Sequence, residues 1–207
     1  MGLRSLLPAA ASLVFAHAIA HEGAHGASHD AGVASTPAVQ ASVSPREQAA
    51  RIFFGDRRLV TQDGNEVAFW TDMLKDHVVL LNFIFTHCTD ACPTQSARVE
   101  VVQALLRAAP AARVRLISIS VDPDRDSPAV LAAYAATFHA GRDWTFLTGS
   151  KANVDDVLRR LGQLTAEPRA HTSLYIVGNA ATGHWMKLHP DSPPAAIAAE
   201  LRSLAAE

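Results

Sequence analysis

Residues 78–96 read VVLLNFIFTHCTDACPTQS, and the rest of the predicted fold is organised around them. Its first part, Val78–Phe85, is a short, continuous apolar run rich in Val, Ile and Phe, which predicts a fully buried strand. A polar loop follows and contains the only two cysteines of the chain, Cys88 and Cys92. Pro93 comes next and leads into an apolar-periodic segment that predicts a helix. Both thiols are therefore expected at a helix N-terminus, where unpaired N–H groups and the helix dipole favour the thiolate.

Strands and helices alternate before and after this stretch. A turn at Asp63 and Gly64 between two short alternating runs predicts a β-hairpin over residues 59–69. The run VRLISISV at residues 114–121 predicts a second buried strand, and residues 173–188 predict a C-terminal hairpin that is followed by a helix. Right-handed crossover connections place the two long strands in parallel, and the last hairpin adds antiparallel strands. The predicted fold class is α/β, a thioredoxin-like three-layer fold with an N-terminal β-hairpin extension.

Length and charge limit the kinds of protein that fit. The chain has 207 residues, which is enough for one domain and appended segments. Its hydrophobic content is 49%, but much of this is alanine, as in an ordinary soluble protein. The formal net charge of −2 gives no indication of a nucleic-acid partner or of an anionic membrane surface.

The N-terminal residues predict export from the cytosol. Arg4 gives a short basic start, Leu6–Ala20 supply an apolar core, and a small-residue cleavage signal ends at Ala20. We expect residues 1–20 to be a cleaved signal peptide, with an uncleaved anchor as the alternative. The mature protein is then expected outside the cytosol, where neighbouring cysteines can be oxidised to a disulfide.

Residues 21–51 are rich in Ala, Ser, Gly and His and lack apolar periodicity, which predicts a disordered linker. The folded domain is then expected over residues 52–207. Three histidines of the linker, His21, His25 and His29, are spaced four residues apart. If cleavage places His21 at the N-terminus, its free α-amine and imidazole favour weak capture of Cu(II) or Ni(II). The alternative is a solvated tail with incidental histidines.

The pair Cys88 and Cys92 has three interpretations. A structural disulfide would close a very short loop, worth about 2 kcal/mol in the chain-entropy model. A redox dithiol would have one residue more between the cysteines than the thioredoxin motif. A metal site would use two soft thiolates, which suit Cu(I) or Zn(II), and would need a third ligand from elsewhere. His171 is the candidate, because it precedes the strand whose entry loop faces the cysteines in thioredoxin-like folds.

Three motifs occur in the same order as in a known family. They are C-x-x-x-C-P at residues 88–93, SISVDPDRDSP at residues 118–128, and His-Thr-Ser at residues 171–173 before a Leu-Tyr-Ile-Val strand. With these motifs the sequence resembles the Sco/SenC family, thioredoxin-like copper proteins of the periplasm and the mitochondrial inner membrane. The resemblance runs from about residue 53 to the C-terminus. It implies a periplasmic protein, anchored to the inner membrane if the N-terminal segment is not cleaved.

The resemblance also implies a ligand set. It implies that Cys88, Cys92 and His171 together bind copper, as Cu(I) or Cu(II). It implies in addition that Asp122, in the VDP loop, is an acidic residue near the site that orients a ligand or a partner, or stabilises its own loop. Family members commonly carry Asp just before the histidine, whereas this chain has Ala170. A carboxylate that would orient the imidazole and raise its basicity is therefore missing.

We expect a metallochaperone rather than an enzyme, one that assists assembly of the binuclear CuA centre of cytochrome c oxidase, as the resemblance implies. The alternative is a thiol-disulfide oxidoreductase, in which Cys88 and Cys92 keep a partner's metal-binding cysteines reduced. A cysteine peroxidase is disfavoured, because Phe85 stands where such sites usually have proline. The expected partner is a subunit of a copper-dependent respiratory enzyme, or another periplasmic copper protein, close to the membrane. We expect a monomer that binds no nucleic acid.

Overall fold

The computed structural model describes residues 44–109, 111 and 113–207 and contains strands and helices in alternation. None of the helices in this part of the chain is both long enough and apolar enough to cross a membrane. In chain order the elements are helix α1 (Pro45–Phe54), strands β1 (Arg58–Thr61) and β2 (Glu66–Ala68), a short helical segment (Phe69–Leu74), β3 (Val78–Ile84), α2 (Ala91–Ala108), β4 (Val114–Ser120), α3 (Pro128–Thr137), β5 (Trp144–Thr148), α4 (Lys151–Leu161), a single helical turn (Pro168–Ala170), β6 (Tyr175–Asn179), β7 (His184–Leu188) and α5 (Pro194–Ala205).

The strands form one mixed sheet with the order β2-β1-β5-β4-β3-β6-β7. β3, β4 and β5 are parallel, and Leu80 of β3 lies opposite Leu116 of β4. β6 runs antiparallel to β3, with Leu81 opposite Ile176, and β7 completes the C-terminal hairpin. The N-terminal hairpin joins the sheet through β1, which is antiparallel to β5. This topology confirms the predicted thioredoxin-like fold and its hairpin extension.

Strand β3 is buried along its whole length, as its continuous apolar run predicts. Its side chains alternate between the two faces of the sheet. Leu81 and Phe83 pack in a core that includes residues of α1 and α4, whereas Leu80 packs in a second core with α2, α3 and α5. Helices therefore cover both faces of the sheet, which is the three-layer architecture.

Helix α1 is capped at its N-terminus and packs on the domain at its C-terminal end. The Ser44 side chain caps it, since its Oγ accepts a hydrogen bond from the Glu47 N–H at 3.0 Å. Pro45 occupies the first turn, where its missing N–H costs nothing. At the other end Phe54 is 3% exposed, and its ring stacks on that of Trp70. The helix is thus part of the folded domain.

This helix corrects the predicted domain boundary. The linker predicted over residues 21–51 is wrong at its C-terminal end, because residues 45–51 belong to α1, and the domain begins before residue 52. Within α1 only Ala50 and Phe54 are buried, which is too few apolar positions to produce a visible periodicity. The other predictions for this region, a signal peptide over residues 1–20 and metal capture by His21, His25 and His29, lie outside the described residues.

Truncation of Phe54 tests the packing of α1 on the sheet. Phe54→Ala is expected to lower the free energy of unfolding by about 3–5 kcal/mol, because removal of a buried ring leaves a cavity. The neighbouring Phe53 is 53% exposed, and Phe53→Ala is expected to cost less than about 1 kcal/mol. Urea unfolding followed by circular dichroism measures both values. Equal losses for the two variants would contradict the packing described for α1.

Candidate functional site

Cys88 lies in the loop between β3 and α2, and its sulfur takes part in the start of the helix. The Cys92 N–H donates a hydrogen bond to Cys88 Sγ at 3.3 Å. Asp90 occupies the N-cap position, but its side chain makes no capping hydrogen bond to any described residue. The helix begins at Ala91, before Pro93, so that Cys92 lies inside its first turn. The Cys88 sulfur thus replaces the oxygen acceptor that is usual at a helix N-terminus.

The two thiols differ in acidity. Burial would raise the pKa of Cys88, but hydrogen bonds from the Cys92 side chain and from the N–H groups of Asp90, Cys92 and Ala91 outweigh burial and lower this pKa below its usual value. Cys92 is 1% exposed, and burial, followed by its hydrogen bond to Cys88, raises the pKa of Cys92 to about 12. Both are free thiols. Cys88 is therefore the thiol that ionises first.

His171 directly follows the single turn Pro168–Ala170. Its Nδ1 lies 2.5 Å from the Pro168 carbonyl oxygen, so the Nδ1–H donates to this oxygen, and in the neutral ring this tautomer has its lone pair on Nε2. The residue is 9% exposed, and its ring meets that of Phe85 with centroids 5.9 Å apart. Nε2 is buried and has no hydrogen-bond partner among the described residues. A backbone carbonyl thus orients the ring, although Ala170 cannot supply a carboxylate.

Cys88 and His171 line the same cavity, of about 300 Å³, at the end of β3. Asp90 and Arg169 also line it, whereas Cys92 lies behind Cys88 and is not part of the lining. Within residues 44–109 and 113–207, no three His, Cys, Asp or Glu side chains are already arranged to hold a metal ion. The structure therefore brings two of the predicted ligands to one cavity and keeps the third next to Cys88.

Asp122 lies beside this cavity rather than in it. It lines a neighbouring cavity of about 420 Å³, to which His87 and Arg169 also contribute. Burial, and then the negative charge of Asp126, raises the pKa of Asp122. The Asp122 N–H donates to Ser120 Oγ at 3.0 Å, so its backbone helps to hold the loop after β4.

A different acid of the same loop, Asp126, is the one that supports the cysteine loop. Its carboxylate is fully buried and accepts hydrogen bonds from Thr86 Oγ1 and from Ser120 Oγ, each at 2.6 Å. The Thr86 N–H also points at both carboxylate oxygens, at 3.3 Å. Asp126 thereby joins the ends of β3 and β4 behind Cys88. Sequence reasoning missed it, because burial alone distinguishes it from the other acids of the DPDRDSP motif.

The order of thiol alkylation tests the acidity difference. Iodoacetamide at neutral pH is expected to modify Cys88 well before Cys92, since Cys88 is the more exposed thiol and the more acidic one. Peptide mapping by mass spectrometry at increasing reaction times measures the order. In Cys88→Ser, modification of Cys92 is expected to remain slow. Equally fast modification of both cysteines in the parent chain would refute the assignment of Cys88 as the more reactive thiol.

Removal of the Asp126 carboxylate tests its role in joining the two strand ends. Asp126→Ala is expected to lower the free energy of unfolding by about 3 kcal/mol, because the buried Ser120 hydroxyl and the part-buried Thr86 hydroxyl lose their acceptor. It is also expected to speed amide hydrogen exchange at Thr86. Asp124 is exposed, so Asp124→Ala serves as the control and is expected to change stability by less than about 0.5 kcal/mol. Urea unfolding and hydrogen-exchange measurements check both variants. Equal free energies of unfolding and equal exchange rates at Thr86 in the two variants would contradict the role given to Asp126.

Known proteins resemble this chain in sequence over most of the described part. A family model described as SCO1/SenC matches residues 45–206. The SCO1 protein homolog of Bacillus subtilis is 36% identical over 126 residues, which is 56% of this chain and 64% of that protein. The match spans between 38% and 64% of the length of such curated relatives.

Solved structures resemble it in fold as well. ScoI of Bradyrhizobium japonicum, solved with copper bound, is 29% identical with a TM-score of 0.59, and the match covers 72% of this chain and 98% of that chain. BsSco, a member of the Sco family of cytochrome c oxidase assembly proteins, has a disulfide switch; it is 28% identical with a TM-score of 0.64, over 74% and 93% of the two chains. Because the family model spans the whole domain from α1 to α5, the chain belongs to the SCO1/SenC family.

Proposed function

We propose that the chain binds copper through the sulfur atoms of Cys88 and Cys92 and through Nε2 of His171. The observation that carries this proposal is the state of the His171 ring. Its Nε2 is buried without a partner among the described residues, and the residue lines the same cavity as Cys88. A buried polar atom without a partner destabilises the fold, and coordination to a metal ion removes this penalty. The Pro168 carbonyl already selects the tautomer that a metal ligand needs.

The donor atoms favour copper over other metals. Two thiolates and one imidazole form a soft set that suits Cu(I), and three donors are too few for a closed tetrahedral zinc site. Cys88 gives up its proton readily, whereas binding at Cys92 must displace a proton from a thiol of high pKa. The three donors must also come closer together on binding. Copper uptake is therefore coupled to proton release and to a local rearrangement of the cysteine loop.

Copper is a cargo in this proposal, and its destination is the CuA centre of cytochrome c oxidase. Membership of the SCO1/SenC family supports an assembly role. The relatives support it too: ScoI of Bradyrhizobium japonicum has been solved with copper bound, and BsSco belongs to a family of cytochrome c oxidase assembly proteins. The partner is then a subunit of a copper-dependent respiratory enzyme. The export signal in residues 1–20 supports a periplasmic location.

A second candidate function is reduction of a disulfide in the partner. The unequal thiols favour it, because Cys88 is acidic and accessible whereas Cys92 is buried and protonated. The Cys88 thiolate attacks one sulfur of the partner's disulfide, forms a mixed disulfide and releases the other sulfur as a thiolate. The Cys92 thiol then loses its proton and attacks Cys88, which releases the second partner thiolate. The partner gains two electrons, and this chain is left with a Cys88–Cys92 disulfide.

Replacement of His171 separates the two functions. His171→Ala is expected to weaken Cu(I) binding by at least about 100-fold, because a direct ligand is lost. The same variant is expected to keep its rate of reduction of a small aromatic disulfide, since both thiols remain. Competition with a chromophoric Cu(I) chelator measures the affinity of the reduced protein.

A second histidine of the same cavity provides the matched control. His87 lines the cavity but hydrogen-bonds to Thr86 Oγ1, and His87→Ala is expected to change Cu(I) affinity by less than about threefold. Unchanged Cu(I) affinity in His171→Ala would overturn the proposed ligand set. Loss of Cu(I) affinity in His87→Ala but not in His171→Ala would show that His87 is the ligand instead of His171.

A further inference from the structure

A large groove lies between α1, the end of α4 and strand β7. Its volume is about 570 Å³, which is within the range of small-molecule sites. We call it the α1–β7 groove. None of the residues that line it also lines the cavity of Cys88 and His171. Its lining includes the apolar residues Phe53, Phe54, Ile176, Trp185 and Met186.

Aromatic rings form the floor of the α1–β7 groove. The ring centroids of Phe54 and Trp185 are 4.3 Å apart, and those of Phe53 and Phe54 are 5.1 Å apart. Trp185 faces Gly178 on the neighbouring strand, and a Cβ at residue 178 would overlap the indole, so the ring lies flat on the sheet. Trp185 Nε1 is buried and has no hydrogen-bond partner among the described residues. The floor is thus apolar, and its one polar group, the Trp185 indole N–H, has no acceptor among the described residues.

Positive charge surrounds this floor. Four cations line the α1–β7 groove, and no Asp or Glu of the described residues does; the cations are Arg46, Arg159, Arg160 and Lys187. Arg159 and Arg160 are paired with Asp156. In contrast, Arg46 and Lys187 form no ion pair with the described residues, and Lys187 Nζ lies beside Gly162 at the end of α4. Two cations therefore remain to bind an anion.

We infer that the α1–β7 groove binds a small amphiphilic anion, a molecule with one apolar chain and one carboxylate or phosphate head. The apolar chain packs on Phe53, Phe54 and Trp185, and the head pairs with Lys187 and Arg46. The combination of the two surfaces supports this class. An inorganic anion would leave the aromatic floor uncovered, and a neutral apolar molecule would leave both cations unpaired. The concave shape suits a single chain better than a flat lipid surface.

Titration of the full chain with decanoate, below the concentration at which it forms micelles, tests the inference. Trp70 and Trp144 are each 1% exposed, so a change in emission on binding is expected to come from Trp185. We expect saturation at one decanoate per chain, both by fluorescence and by calorimetry. Trp185→Phe is expected to remove the fluorescence signal. Decyltrimethylammonium, which has the same chain length and the opposite charge, is expected not to bind.

Charge reversal at the rim provides the decisive variants. Lys187→Glu is expected to weaken decanoate binding by at least about tenfold, because an attraction becomes a repulsion. Lys75 is also an exposed lysine, but it lies outside the α1–β7 groove, so Lys75→Glu is the matched control and is expected to leave the affinity unchanged. Lys187→Glu is expected to keep its Cu(I) affinity, which separates this inference from the proposed function. Phe53→Ser, at a half-exposed position, removes an apolar ring from the floor and is also expected to weaken decanoate binding.

Three results would overturn the inference. The first is equal binding of decanoate and decyltrimethylammonium, which would mean that charge does not select the ligand. The second is equal weakening by Lys187→Glu and Lys75→Glu, which would reflect the net charge of the chain alone. The third is absence of decanoate binding while the protein sediments with vesicles of phosphatidylcholine and phosphatidylglycerol, which would make this face a membrane contact.

Discussion

Complete burial of β3 is the constraint on which the rest of the structure depends. β3 pairs with parallel β4 on one side and with antiparallel β6 on the other, and a core covers each of its faces. Because β6 runs antiparallel, it begins at the edge of the sheet where β3 ends. The loop after β3 carries Cys88, and the loop before β6 carries His171. Strand pairing therefore brings together two residues that are far apart in the sequence.

The unequal environments of the two thiols set the chemistry of this site. Cys88 receives hydrogen bonds from the first turn of α2 and becomes the more acidic thiol, whereas burial keeps Cys92 protonated. The Pro168 carbonyl holds the His171 ring, and its buried Nε2 has no hydrogen-bond partner in the described part of the chain. Next to the cysteine loop, the buried carboxylate of Asp126 joins the ends of β3 and β4 through the hydroxyl groups of Thr86 and Ser120. The two proposed functions, copper binding and disulfide exchange, involve the same two sulfur atoms, and only copper binding involves the imidazole.

The parts that sequence reasoning predicted well are those in which local pattern and final environment agree. The run that became β3 is buried along its whole length as expected, and β4 is buried from Leu116 to Ser120. Helix α1 was missed because its attachment depends on Phe54 meeting Trp70 and Trp185, and neither partner is local. Asp126 was missed for a related reason: its hydroxyl donors come from two strand ends that only the sheet brings together.

Sequence alone predicted the order of strands and helices from β1 onward, the position of two thiols at a helix N-terminus, and the family, because these properties depend on local periodicity and on short motifs. Only the folded chain shows which thiol is more acidic, which ring nitrogen of His171 lacks a partner among the described residues, and where cations surround an aromatic floor. Burial, hydrogen-bond partners and local electric fields depend on distances between residues that are remote in the chain. Those distances are set by the pairing of β3 with its neighbours and by the packing of α1 and α4 on the sheet, and no local pattern encodes them.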